Sequence, residues 1–104
     1  MKPIYSTLGD DPSSGEAVDA FVVGLAERID LLQDAEAGGD LAQLADQAGR
    51  LIAEAAQAGF AAFEKVGKEL EVACFEKDGK AARQRLVELT ELSQRIRLGH
   101  KGSA

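Results

Sequence analysis

Both prolines of this 104-residue chain, Pro3 and Pro12, fall in the first dozen residues, and none interrupts the stretch from Ser13 to Leu98. Proline removes a backbone donor and clashes with the preceding turn, so its absence leaves that whole stretch open to long helices. The apolar residues within it recur at steps of three and four, the spacing that keeps side chains on one face of a helix. The sequence predicts an all-α chain.

Four helices can be marked out. Ser13-Ser14-Gly15-Glu16 has the form of a capping box, and Val18, Phe21, Val22, Leu25, Ile29 and Leu32 form the stripe of a first helix running from about Ser14 to Ala37. Gly38-Gly39 ends it. Asp40 with Gln43 repeats the capping pattern ahead of Leu41, Leu44, Ala48, Leu51 and Ala55, and Gly59 closes this second helix. A third helix carries Phe63, Val66, Leu70 and Ala73 and is expected to end near Asp78-Gly79; a fourth carries Ala82, Leu86, Leu89, Ser93 and Ile96, with Gly99 expected to stop it. Helices of this length joined by such short links bury their stripes most simply as an antiparallel up-down-up-down four-helix bundle. Ile4, Tyr5 and Leu8 are expected to cover one open end, and residues 99–104 to fray. At this length the chain should hold one domain and one core, built from alanine and leucine because aromatics are only 5% and Trp is absent.

Charge and composition exclude several functions. The net charge is −6, with three basic and eleven acidic residues up to Phe60 and nine basic and seven acidic after it, which argues against nucleic acid as a partner. No run approaches the roughly 18 apolar residues of a membrane span, and the first residues lack the apolar stretch of a signal peptide, so a soluble cytoplasmic protein is expected. Cys74 is the only cysteine and His100 the only histidine, too few for a zinc site or an internal disulfide. Cys74 borders the stripe of helix three and reads as a core filler, His100 as a residue of the tail. Neither a phosphate-binding glycine loop nor a Glu-x-x-His pair occurs, and the carboxylates are spaced as solvated helix faces. Neither catalysis, nor a metal, nor a cofactor is expected.

Helix two stands apart. On a helical wheel Gln43, Asp46, Gln47, Arg50, Glu54 and Gln57 crowd into an arc of roughly 100°. Ala42, Gly49, Ala53 and Ala56 form a strip of small residues flanking the core stripe, with Ile52 between strip and core. A mid-helix glycine costs about 0.8 to 1 kcal/mol relative to alanine. Gly49 therefore marks either close packing against another helix or a docking groove for a partner.

The chain also resembles the histidine-containing phosphotransfer (HPt) domains of bacterial phosphorelays. The similarity spans nearly the whole chain: Pro3-Ile4-Tyr5-Ser6 with Asp10-Asp11-Pro12, the segment from Phe21 to Leu31 with Glu27-Arg28-Ile29, the segment from Phe60 to Ala73, and Asp78 with the run from Leu86 to Ile96. The family signature on the second helix is Ala-His-x-Leu-Lys-Gly. Aligned back from Gly59-Phe60, this chain reads Ala48-Gly49-Arg50-Leu51-Ile52-Ala53, so Gly49 stands where the phosphorylated histidine would be, Ile52 replaces the lysine and Ala53 the glycine. Glycine has no nucleophile to carry a phosphoryl group.

The resemblance implies a four-helix fold and a docking surface for a receiver domain of a response regulator, or for a hybrid histidine kinase, made by Ala42, Ala45, Asp46, Gly49, Arg50, Ile52, Ala53 and Ala56. It points to a phosphorelay protein that binds without transferring. From the residues alone the alternative stays open: a self-associating helical adaptor or structural protein, with helix two as a homodimer seam instead of a monomer surface.

Overall fold

The computed structural model describes residues 2–7 and 15–102, the last two by backbone only. It contains four helices: α1 (Gly15–Ala37), α2 (Leu41–Ala58), α3 (Ala61–Phe75) and α4 (Gly79–Gly102). The fold is an all-α four-helix bundle. Each helix packs on its neighbour in sequence, and α4 returns to α1. Along the α1–α4 seam the partners run in opposite chain order: Asp19 lies by His100, Gln33 by Thr90 and Glu36 by Arg83.

The stripes read from the sequence form the core. Leu25, Leu32, Leu44, Leu51, Phe63, Leu70, Leu89 and Ile96 are fully buried, each contributing about 1.5 to 3 kcal/mol of transfer free energy. Phe21 stacks on Phe60 at 5.3 Å between ring centroids and meets Phe63 edge-on at 5.7 Å, which ties α1 to the α2–α3 link and the first turn of α3. Ser93 is the one buried polar residue among those described, and its hydroxyl donates to the Thr90 carbonyl. Ion pairs bridge neighbouring helices, among them Arg28 to Glu54, Arg83 to Glu36, and Arg85 to Glu69. At the surface such pairs contribute little stability, on the order of 1 kcal/mol or less.

The caps explain where α2 starts and stops. The Asp40 carboxylate accepts the Gln43 N–H at 3.0 Å, and Gly59 adopts a left-handed φ of 80° while its N–H bonds back to the last turn. The Ser13-Ser14 cap, Asp10-Asp11-Pro12 and Leu8 lie outside the described residues.

Two boundaries differ from expectation. Helix α3 ends at Phe75, not near Gly79, because Lys77 takes a left-handed φ of 57°. Asp78 instead opens α4, its side chain accepting the Ala81 N–H at 3.1 Å. At the other end α4 does not stop at Gly99 but continues to Gly102. Gly99 is buried there because the N-terminal segment crosses it: a β-carbon at 99 would lie 2.5 Å from the Ile4 carbonyl oxygen. That segment is a strap. The Ile4 N–H bonds to the Arg95 carbonyl and the Thr7 N–H to the Gly59 carbonyl, both at 3.0 Å, and the Ser6 hydroxyl bonds to the Ala58 carbonyl. Ile4 packs on the core while Tyr5 stays largely exposed.

Candidate functional site

Helices α2 and α3 cross closely, and the glycine that permits it is not Gly49. A β-carbon at Gly67 would stand 2.6 Å from Cγ1 of Ile52, so Ile52 fills the space that α3 leaves empty. This corrects the assignment of Ile52 to the docking strip: it is buried, 8% exposed, between the two helices. Only a glycine facing it lets a β-branched side chain lie flat against the neighbouring backbone. Gly67 is the only glycine in α3, and its mid-helix position was the available signal, but which helix it faces leaves no mark in local spacing.

One turn before Ile52 an open groove of about 640 Å³ begins between the two helices. Leu41, Ala42, Ala45, Asp46, Gly49 and Arg50 line it from α2; Glu71, Cys74 and Phe75 line it from α3; Lys77 stands in the turn beyond. Of the residues assigned to the docking surface, the groove therefore gathers Ala42, Ala45, Asp46, Gly49 and Arg50. Ala45 is 8% exposed and forms floor, not rim. Ala53 and Ala56 are exposed but lie outside the groove.

A β-carbon at Gly49 would meet nothing of α3 except the Glu71 carboxylate, 2.9 Å from its Oε2 and 3.9 Å from its Cδ. The end of a flexible side chain can move, so helix packing does not demand glycine at 49. Phe75 is 72% exposed and forms an apolar edge on the α3 side of the groove. Arg50 joins Asp46 at 3.4 Å on the α2 side. Cys74 is buried, and its thiol is held above the ordinary range, first by desolvation and second by the charge of Glu71. A thiol in that state is a poor nucleophile.

Glu71 and Phe75 were missed from the sequence, where Glu71 reads as part of a solvated face. Their position at i and i+4 on the flank of the Leu70 and Cys74 stripe was the available signal.

His100 is not in a frayed tail. It sits in α4, half-buried, with Nε2 3.6 Å from the Asp19 carboxylate, at the strap end of the bundle. It lines a smaller cavity with Ile4, Val18, Phe60 and Ile96, whereas the α2–α3 groove opens toward the other end, by Leu41 and Lys77. No imidazole reaches the groove. Among the described residues no group of three or more His, Cys, Asp or Glu side chains could hold a metal ion, and no helix is long and apolar enough to cross a membrane. Comparison with known protein families, with curated proteins and with solved structures finds no match to this chain.

Proposed function

We propose that this chain is a histidine-less HPt-like protein, which binds a receiver domain or a hybrid histidine kinase of a two-component system without itself carrying the phosphoryl group. The reading rests on the sequence resemblance, and the observation that supports it most is the setting of Gly49. Residue 49 takes the place of the phosphorylated histidine in the alignment, and in the structure it lies in an open, largely apolar groove, not beneath a neighbouring helix. A bundle that keeps a docking face and lacks the nucleophile can sequester a regulator or compete with a true phosphotransfer protein. On this reading the protein is a cytoplasmic binding module, monomeric in its free state, needing neither cofactor nor metal.

The test is a titration of the purified chain with receiver domains from its own cell, unphosphorylated and phosphorylated, followed by calorimetry and light scattering. One-to-one binding with no phosphoryl transfer is the expected outcome. A stable homodimer built on α2, with no receiver bound at any concentration reached, replaces this reading with that of a self-associating protein.

A further inference from the structure

Five carboxylates among the described residues are half-buried: Glu36, Glu64, Glu69, Glu71 and Glu88. Four of them have a cation. Glu36 pairs with Arg83, Glu64 with Lys68, and Glu69 and Glu88 with Arg85. Glu71 alone makes no ion pair or side-chain hydrogen bond among the described residues, although it lies over Gly49 at the end of the groove nearest Ile52. The nearest rim cation on α2, Arg50, is engaged with Asp46, and Lys77 is exposed in the turn after α3. The charge of Glu71 reaches the groove floor, where it helps hold the Cys74 thiol protonated.

A partner that covers this groove strips water from that carboxylate. An apolar or acidic partner would strand it as an uncompensated charge, which disfavours binding strongly, whereas a cation on the partner converts the same group into a specific contact. We propose that the groove receives a protein helix presenting a lysine or arginine to Glu71, with apolar side chains further along it that lie on Ala42, Ala45 and Phe75. The occupant is thereby chosen by charge at the inner end of the groove and by apolar fit along the rest of it. The inference deepens the docking proposed above, from which it takes the site, and names the chemistry of what binds there.

The test uses the full chain, isotopically labelled, and two amphipathic helical peptides identical except at one end of the apolar face, where one has Lys and the other Glu. The Lys peptide is expected to shift the amide resonances of residues 42–50 and 71–75 and to bind about tenfold tighter than the Glu peptide. That preference is expected to vanish in Glu71→Gln and to reverse in Glu71→Lys, both checked for folding by circular dichroism. If Glu71→Lys does not fold, Glu71→Gln decides alone. Failure of both peptides to bind, or a preference that survives Glu71→Gln, overturns the proposal. Receiver domains run in parallel separate the two readings. Receivers that bind wild type and Glu71→Gln equally leave the phosphorelay reading standing and remove this one. A Glu71-dependent peptide preference with no receiver bound does the reverse.

Discussion

Two glycines in adjoining helices face each other's territory and should respond oppositely to the same substitution. At Gly67 a methyl group would collide with Cγ1 of Ile52, an atom close to its own backbone and fixed by burial. Gly67→Ala is expected to destabilise the fold by about 1 to 3 kcal/mol, read from urea unfolding midpoints. At Gly49 the obstacle is the far end of Glu71, which can swing aside, so Gly49→Ala should stabilise by about 0.5 to 1 kcal/mol through helix propensity. Equal signs at the two sites would show that the α2–α3 crossing is not set by Gly67. Cys74 gives a further residue-scale test. Burial and Glu71 raise its pKa, so a thiol reagent should label the native protein slowly and the unfolded protein fast. A group whose pKa is raised by folding contributes stability below its unfolded pKa and loses it as pH climbs. Stability should therefore begin to fall above about pH 8.5, and Cys74→Ala should remove that part of the decline. A decline unchanged in Cys74→Ala would assign it to other groups.

At the scale of elements, what the sequence makes legible is what local chemistry controls. The stripes, the Asp40 cap and the Gly59 stop are each decided within one turn of chain, and they stand where the spacing puts them. The two boundaries that moved depend on contacts the local sequence does not contain. Gly99 has the look of a stop signal, but it is needed inside α4 for the Ile4 backbone to pass. Asp78-Gly79 looks like the end of α3 because a cap and a terminator use the same residue types; only the left-handed turn at Lys77 assigns Asp78 to the helix that follows. Asp78→Ala should thus cost about 1 kcal/mol by freeing the first amides of α4. Gly99→Ala should favour the helix yet push the strap off it, since the obstructing atom is backbone. Hydrogen exchange checks this: the Ile4 amide, bonded to the Arg95 carbonyl in the native strap, is expected to lose protection while the α4 core amides keep theirs. Retained protection at Ile4 would mean the strap can ride over a methyl group.

For the whole molecule, the candidate site was half legible. The wheel set Ala42 and Gly49 on one flank of α2, and both line the groove, because amphipathicity is a property of one helix. It could not show that a groove opens there against α3, that Ile52 turns inward, or that Glu71 and Phe75 complete the other wall. The geometry separates the two ends of the bundle, with the groove at one and His100 beside Asp19 at the other. On the proposed phosphorelay reading, a phosphoryl group brought to the groove finds no imidazole to accept it, and the carboxylate over Gly49 adds like charge. Incubation with a phosphorylated receiver domain is expected to leave the chain unlabelled. Label that appears in the wild type and disappears in His100→Ala would place acceptance at the strap end of the bundle, and docking would then have to be sought around α1 and α4. Label that persists in His100→Ala would require another acceptor and would remove the binding-without-transfer reading altogether.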